Sequence, residues 1–260
     1  MGLSSNWQSR LARAIGEPGP AQRLTGSTWR VASLFCKVGP GVADEAAGLR
    51  RLAAVTGAPP VPEVVLVDGD LLVTSWVDQG RRSPSHEHQL GRALAGLHVA
   101  PWTTWGGGST WIGGCRVDAC EAPSASAFYG ARLASLARRC CLSARIEPVV
   151  RRLDTLIPPT PPSLVHGDLW WGNVLWGADG RGWLVDPSVH GGHPEEDLAM
   201  LALFGAIGGP MLDGYGEVRP LEDGWEERAE LFQLYPLLVH AVLFGGSYRS
   251  QAEAIAVRYS

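Results

Sequence analysis

The segment 166–188, HGDLWWGNVLWGADGRGWLVDPS, contains the residues that decide the fold of this chain. Two short β-forming runs flank the turn Gly-Ala-Asp-Gly and predict a β-hairpin over 174–185. A hairpin brings its two ends together, so Asn173 and Asp186 should lie side by side, with Asp168 on the loop that leads in. Two carboxylates and an amide oxygen at one place suit Mg²⁺, although single loop aspartates are more often turn or cap residues.

The spacing within this segment strengthens the functional interpretation. An Asp, an Asn five residues later and an Asp that closes a hairpin match the catalytic loop and metal-binding Asp of protein-kinase-like phosphotransferases. That fold also needs a Lys on its third strand and a Glu on the next helix. Lys37 ends a predicted strand, and Glu45 falls in the first turn of the following helix. Lys37 is the single lysine among 22 cationic side chains, which weakens its interpretation as an ordinary surface residue.

The rest of the chain divides into a β-rich first third and a helical remainder. The first third predicts the order strand, strand, strand, helix, strand, strand after a short N-terminal helix. We therefore expect an α+β, two-lobed protein-kinase-like fold, with an ATP-gripping lobe (1–77) and a catalytic and substrate lobe (78–260). The predicted segments are a helix over 3–15, two or three strands within 22–38, a helix over 44–55, strands over 63–67 and 71–77, helices over 87–98, 125–143, 148–157, 197–207 and 225–245, and a loop over 101–122.

Composition excludes several classes of function. The chain has 260 residues, a net charge of −4 and 45% hydrophobic residues, which is typical of a soluble globular protein. The mild acidity offers no electrostatic basis for binding nucleic acid or a membrane surface. Five cysteines, an odd number without a Cys-x-x-Cys pair, argue against a disulfide framework and a zinc site. We therefore expect a cytoplasmic protein.

At the level of whole motifs, the sequence resembles the fructosamine kinase (ketosamine-3-kinase) family, relatives of aminoglycoside phosphotransferases and choline kinases. The resemblance extends over most of 23–248. The Trp after Asp-Leu, the Asp-Pro after the hairpin and the Gly-His-Pro-Glu-x-Asp-Leu-Ala-Met run are its more specific parts. The motifs are HGDLWWGNVLW (166–176), LVDPSVHGGHPEEDLAML (184–201), EAAGLRRLA (45–53), LGRALAGLH (90–98) and PLLVHAVLFGGSY (236–248).

The resemblance implies a role for each residue of the central constellation. Asp168 would orient the acceptor hydroxyl and take its proton, and Asn173 and Asp186 would hold Mg²⁺. Lys37 would bind the phosphates of ATP, and Glu45 would orient Lys37. Each residue type suits its role, because phosphoryl transfer depends on positioning and on charge stabilisation.

The same resemblance assigns the rest of the ATP site. Gly26 and Ser27 would belong to the loop that covers the phosphates, which is short here and has a single glycine, so ATP binding could be weak. The strand end formed by Ser75, Trp76 and Val77 would be the interlobe hinge, whose backbone groups bond the adenine.

The candidates for the acceptor site are aromatic and imidazole side chains. Trp170 would pack against the sugar portion, since aromatic faces suit the C–H faces of sugars, with a core tryptophan as the equal alternative. Trp171 departs from the family's usual small residue and should narrow the pocket. His193 is a further candidate substrate contact. It forms an H-x-x-H pair with His190, but a metal role is disfavoured because no third ligand is evident.

The activity implied is ATP- and Mg²⁺-dependent phosphorylation of a sugar hydroxyl of a ketosamine, either a small molecule or bound to protein. Such a phosphorylation would destabilise the adduct and repair glycated amines. One alternative is a kinase for another small alcohol, such as an aminoglycoside or choline, which the acidic pairs at 195–196 and 226–227 leave open. A second alternative is a non-catalytic pseudokinase that binds a ligand or partner.

Overall fold

The computed structural model describes residues 7–17 and 19–260. Its first part is a five-stranded antiparallel sheet in the order β1-β2-β3-β5-β4, with one helix between the third and fourth strands. The predicted order of elements is thereby confirmed. The first helix lies within the predicted segment 3–15, of which 3–6 fall outside the described residues. The elements are α1 (Trp7–Ile15), β1 (Ala21–Arg23), β2 (Thr28–Val31), β3 (Leu34–Val38), α2 (Val42–Ala53), β4 (Val64–Asp68) and β5 (Leu71–Ser75).

Strand alternation decides which way the single lysine points. Neighbouring residues of a strand face opposite sides of the sheet. Cys36 is fully buried in the cluster that α1 forms on one side of the sheet. Lys37 therefore faces the other side, and its register partner Leu72 packs against α2 there. The sequence of β3 thus directs Lys37 towards the helix that carries Glu45.

The second part of the chain is mainly helical, and all five predicted helices are present. These helices enclose two separate hydrophobic cores. The start of the helix predicted over 148–157 was wrong, because this helix begins at Ser143 and accommodates Pro148. The helices are α3 (Pro84–Val99), α4 (Ala125–Arg139), α5 (Ser143–Leu156), α6 (Glu195–Leu203), α7 (Gly209–Gly216), α8 (Trp225–Phe244) and α9 (Gly246–Tyr259).

Helices α7 and α9 were not predicted. The α7 sequence GPMLDGYG is poor in helix formers, but its glycines allow close packing. A β-carbon at Gly91 of α3 would overlap the carbonyl of Met211, and one at Gly214 would overlap the carbonyl of His88. Tertiary contact with α3 therefore overrides local propensity. Helix α9 follows α8 across Gly245, whose φ of +64° breaks the helix.

The predicted loop 101–122 was also wrong, because it contains four three-residue strands. Two of them, β6 (Trp105–Gly107) and β9 (Cys120–Ala122), join a sheet in the order β10-β13-β6-β9, completed by β10 (Ser163–Val165) and β13 (His190–Gly192). The other two, β7 (Thr110–Ile112) and β8 (Cys115–Val117), form a separate hairpin. Strands this short do not show a readable alternation in sequence.

The predicted catalytic hairpin is present, with β11 (Val174–Trp176) paired to β12 (Gly182–Leu184). Its register joins Val174 to Leu184, which places the residues before and after the hairpin next to each other. Among the helices of residues 7–17 and 19–260, none is long and apolar enough to cross a membrane.

Candidate active site

The catalytic hairpin brings the two predicted metal ligands together. The Val185 N–H donates to the Asn173 carbonyl at 3.1 Å, so Asn173 and Asp186 stand at the same open end. Asp186 adopts a left-handed φ of +54°, an uncommon backbone conformation for a residue other than glycine. The Asn173 side-chain amide donates to the Asp168 carbonyl at 2.8 Å and to its carboxylate at 3.3 Å. Asp168, Asn173 and Asp186 therefore form one cluster.

A buried aspartate fixes the loop that carries Asp168. The carboxylate of Asp197 accepts the backbone N–H of His166 at 2.8 Å and that of Gly167 at 2.9 Å, and it also contacts His98 at 3.1 Å. Burial raises the pKa of Asp197, but the hydrogen bond and charge of His98 outweigh it and hold the pKa below its ordinary value. An ionised, fully buried Asp197 thus positions the loop backbone.

Lys37 connects the first part of the chain to this cluster. Its ammonium donates to Glu45 at 2.7 Å and to Asp186 at 2.9 Å. Burial lowers the pKa of Lys37, but the two carboxylates outweigh it, so the pKa lies above its ordinary value. The lysine is therefore a firmly charged cation between two acids.

The acids around Lys37 differ in protonation. Burial raises the pKa of Asp168 to about 8, and the negative charge of Asp186 adds to this. Burial likewise raises the pKa of Asp186, but the Lys37 ammonium and hydrogen bonds outweigh it and hold that pKa below its ordinary value. Asp186 is the anionic partner of the lysine, whereas Asp168 holds its proton more tightly.

These residues form the polar end of a single cavity of about 910 Å³. Gly26 and Ser27, from the turn between β1 and β2, also line it. The Val38 N–H donates to the Ser27 carbonyl at 2.9 Å, which ties this turn to β3. The short loop therefore reaches the cavity although it has a single glycine.

The predicted hinge lies apart from this cavity, since Ser75, Trp76 and Val77 are not among its lining residues. The N–H of Ser75 donates to the Glu63 carbonyl at 2.9 Å, and that of Trp76 donates to the Ser33 carbonyl at 2.8 Å. These two donors are therefore used within the fold, whereas the N–H of Val77 donates to no backbone carbonyl in the described part of the chain.

A second group of lining residues is aromatic, and we call it the aromatic end of the cavity. Trp170 lines it and packs edge-to-face on Phe204, with ring centroids 6.0 Å apart. His240 lies 5.2 Å from Phe204 and 4.9 Å from Tyr248, again between ring centroids. We call this group the aromatic wall; it consists of Trp170, Phe204, His240, Phe244 and Tyr248.

Sequence reasoning found only the first member of the aromatic wall. A signal for two others was present, because His240 and Phe244 lie four residues apart in α8 and therefore on one side of that helix, whereas Tyr248 lies in α9, beyond the break at Gly245. Phe204 directly follows α6 and could not have been assigned to this place from sequence.

Two further candidates lie outside the cavity lining. Trp171 does not line the pocket; it stacks on Trp176, and Arg82 lies 4.2 Å above its ring. His193 is buried and stacks on Phe232 with centroids 4.8 Å apart, and its Nδ1 accepts the Glu195 N–H at 3.2 Å. These contacts give both residues a packing role, because neither side chain reaches the cavity.

Comparison with known proteins identifies the family. The sequence profile of the fructosamine kinase family matches residues 38–259. The chain belongs to the fructosamine kinase family. It is therefore an ATP-dependent phosphotransferase with an alcohol group as acceptor.

Several named proteins resemble this fructosamine kinase family member along most of their length. A "probable ketoamine kinase" of Enterococcus faecium is 32% identical over 242 residues, covering 85% of each chain. The "protein-ribulosamine 3-kinase, chloroplastic" of Oryza sativa subsp. indica is 30% identical, covering 86% of this chain and 70% of the rice protein.

Solved structures agree with the protein-kinase-like fold. A Thermobifida fusca protein assigned as a fructosamine-3-kinase is 33% identical and superimposes with a TM-score of 0.84 over 99% of each chain. A choline/ethanolamine kinase family protein of Mesorhizobium loti, at 19% identity, has a TM-score of 0.65 over 99% of this chain and 94% of its own. The latter likeness shows the fold alone.

Proposed function

We propose that this enzyme transfers the terminal phosphate of ATP, with Mg²⁺, to a sugar hydroxyl of a ketosamine. The observation that supports it most is that Asp168 lines one cavity together with the charged cluster and the aromatic wall. A phosphotransferase needs a proton acceptor between its phosphate donor and its alcohol. In this arrangement the donor occupies the polar end and the acceptor the aromatic end.

The polar end suits a nucleotide with a magnesium ion. Asn173 donates through its side-chain nitrogen to Asp168, which leaves its oxygen for a cation beside the Asp186 carboxylate. Magnesium is commonly held by one or two carboxylates together with substrate phosphates, and it would neutralise charge on those phosphates. No cluster of three or more His, Cys, Asp or Glu that could hold a metal occurs among the described residues, so substrate phosphates would supply the remaining ligands.

Lys37 and the short loop are the proposed contacts to the phosphates. The Lys37 ammonium is a compact point charge that can bind phosphate oxygens while Glu45 keeps its direction. Gly26 and Ser27 would cover the phosphates from above, and Val77 would contact the adenine. We place the boundary between the ATP-gripping lobe (1–77) and the catalytic lobe (78–260) directly after this last residue.

The aromatic end suits a sugar attached to an amine. The exposed face of Trp170 can pack on the C–H face of the sugar, next to Asp168. Aromatic faces also attract a protonated amine. Phe244 is 67% exposed at the rim, so the remainder of the amine can extend into solvent, whether it is a free metabolite or part of a protein. Deglycation in the cytoplasm is the corresponding cellular role.

The contacts of the acidic pairs disfavour an aminoglycoside or choline as acceptor. Such cationic acceptors need free carboxylates near the cavity. Glu195 pairs with Arg228 at 2.6 Å, and Glu196 pairs with Arg132 at 3.2 Å, so both acids are already neutralised. The other pair, Glu226 and Glu227, does not line the cavity. A non-catalytic role is likewise disfavoured, since the charged residues of the polar end all converge.

A coupled ATP-consumption assay with four acceptors tests the proposal. The acceptors are ribulose-lysine, fructose-lysine, an aminoglycoside and choline, each supplied with Mg-ATP. We expect turnover on at least one of the two ketosamines and a higher kcat/KM there than on the aminoglycoside or choline. A higher kcat/KM with the aminoglycoside or choline would show that the acceptor is not a ketosamine. Turnover of none of the four would refute the proposed kinase activity.

A further inference from the structure

The β7–β8 hairpin lines the cavity with Thr110, Trp111 and Ile112, and it is anchored in the second part of the chain. Ile112 and Cys115 are register partners on one side of the hairpin, and both are buried in the core around α4, α5, α8 and α9. Because strand residues alternate, the register partners Trp111 and Arg116 face the opposite side. Trp111 therefore points away from the core that holds the hairpin.

The indole ring of Trp111 rests on Gly41, the residue directly before α2. A β-carbon at Gly41 would overlap this ring, so the ring lies directly on the Gly41 backbone. Gly41 also has a φ of +80°, which a residue with a side chain adopts only with strain. Both observations require glycine at this position, and both make the contact with Trp111 close and specific.

A short sequence of contacts leads from Gly41 to the phosphate-binding lysine. The carbonyl of Gly41 accepts the N–H of Glu45 at 2.9 Å, which sets the first turn of α2. The Glu45 carboxylate in turn accepts the Lys37 ammonium at 2.7 Å. Displacing Gly41 would therefore move Glu45, and the lysine would lose the group that directs it.

We propose that Trp111 is a positioning residue, which holds the Lys37–Glu45 ion pair in its phosphate-binding geometry through Gly41. The inference rests on the proposed use of Lys37 in ATP binding. The β7–β8 hairpin would then connect the two parts of the chain. One side of the hairpin packs in the core of the second part, and Trp111 on its other side contacts Gly41 before α2.

A double-mutant cycle on Mg-ATP affinity tests this role without requiring an identified acceptor. Calorimetry gives the Kd of Mg-ATP for the wild type, Trp111→Ala, Lys37→Ala and the double variant. We expect Trp111→Ala to raise the Kd about fivefold in the wild-type background, within the usual range for a residue that acts through others. In the Lys37→Ala background the same change should have no further effect, because the group through which Trp111 acts is gone.

Two control variants separate positioning from general loss of structure. Arg116 is the register partner of Trp111 in the hairpin, and its side chain is 60% exposed. Arg116→Ala should therefore leave the Kd of Mg-ATP unchanged. Trp111→Phe keeps an aromatic ring on Gly41 and should restore most of the affinity. If Trp111→Ala does not fold, Trp111→Leu enters the cycle in its place.

The possible failures are distinguishable. An unchanged Kd in Trp111→Ala, or a loss that adds fully to that of Lys37→Ala, would overturn the positioning role, the second result indicating that the indole touches the nucleotide itself. If Lys37→Ala alone leaves the Kd unchanged, the proposed use of the lysine fails, and the positioning role fails with it. Turnover of ketosamines by the wild type is measured separately. It tests the proposed acceptor, whichever result the Mg-ATP affinities give.

Discussion

The two ends of the cavity are assembled in opposite ways. The polar end takes its residues from two short stretches, Lys37 with Glu45 and the loop and hairpin from Asp168 to Asp186. The residues of the aromatic wall come from four places: the loop before the catalytic hairpin, the position directly after α6, helix α8 and helix α9. Phosphoryl transfer demands fixed distances between charged groups, which short stretches of chain can guarantee. Contact with an acceptor requires a surface, which several helices can provide jointly.

This difference predicts that substitutions at the two ends affect different kinetic constants. Changes at the polar end should reduce kcat or ATP binding. Changes in the aromatic wall should act on the KM of the acceptor and leave the Kd of ATP unaltered. The following variants test that division, beginning with the largest expected effect.

Asp168→Asn should have the largest effect. The amide cannot take the proton of the acceptor hydroxyl, so we expect kcat to fall about 1000-fold while the Kd of Mg-ATP stays the same. Steady-state kinetics and calorimetry measure the two quantities. Asp179→Asn, a change of the same type in the hairpin turn of the same segment, is the matched control and should behave as wild type. Full turnover by Asp168→Asn would remove Asp168 from the catalytic role.

Lys37→Arg should come next. The planar guanidinium is broader than an ammonium and cannot occupy the position 2.7 Å from Glu45 and 2.9 Å from Asp186. We expect kcat/KM for ATP to fall about 100-fold, comparable to the loss of one charge-stabilising donor. The converse exchange on the exposed face of α2, Arg50→Lys, should change nothing. Wild-type kinetics in Lys37→Arg would show that the single lysine of the chain is incidental.

Trp170→Ala tests the aromatic end. The indole is 41% exposed in the cavity, so its removal takes away a contact surface and leaves the fold intact. We expect the KM of the ketosamine to rise about fivefold, as stacking of this kind contributes of the order of 1 kcal/mol. Trp171→Phe, outside the cavity, should leave that KM unchanged. A loss of ATP affinity in Trp170→Ala would contradict the separation of the two ends.

His193 belongs to neither end and should affect stability alone. Burial lowers the pKa of His193 to about 3 in the folded chain. The unfolded chain binds a proton near pH 6.5 that the folded chain does not, so this histidine makes the free energy of unfolding fall as the pH drops below that value. Between pH 6.5 and 5.5, His193 should lower the free energy of unfolding by about 1 kcal/mol.

Urea denaturation at pH 6.5 and pH 5.5 measures this decrease in the free energy of unfolding. His193→Asn keeps an acceptor for the Glu195 N–H and removes the titrating ring. The loss of stability between the two pH values should be about 1 kcal/mol smaller in this variant than in the wild type. Equal losses would mean that another group is responsible, and an altered acceptor KM would return His193 to the substrate site.

The sequence predicted the polar end far better than the aromatic end, for a physical reason. Lys37, Glu45, Asp168, Asn173 and Asp186 could be assigned because a strand, a helix start and a hairpin hold them at short, readable spacings. Hairpin geometry alone placed the last two side by side. Phe204 and His240 meet only after α6 and α8 have packed, and no local pattern specifies that packing.

The fold shows the same limit. Long amphipathic helices and the strand order of the first third were evident from periodicity. Helix α7 was missed because its glycines suggest a loop until α3 is beside it, and the strands β6–β9 were missed because three residues do not establish an alternation. In both cases partners distant in sequence stabilise what local propensity does not.

The central claim is that Asp168, between the two ends, directs phosphate from ATP onto an alcohol rather than onto water. Phosphorus-31 NMR of the wild-type enzyme with Mg-ATP and a ketosamine measures both fates of the phosphate in one experiment. We predict one sugar phosphate ester for each ADP formed, and neither ester nor ADP accumulation with Asp168→Asn. Release of inorganic phosphate in place of the ester would contradict the account.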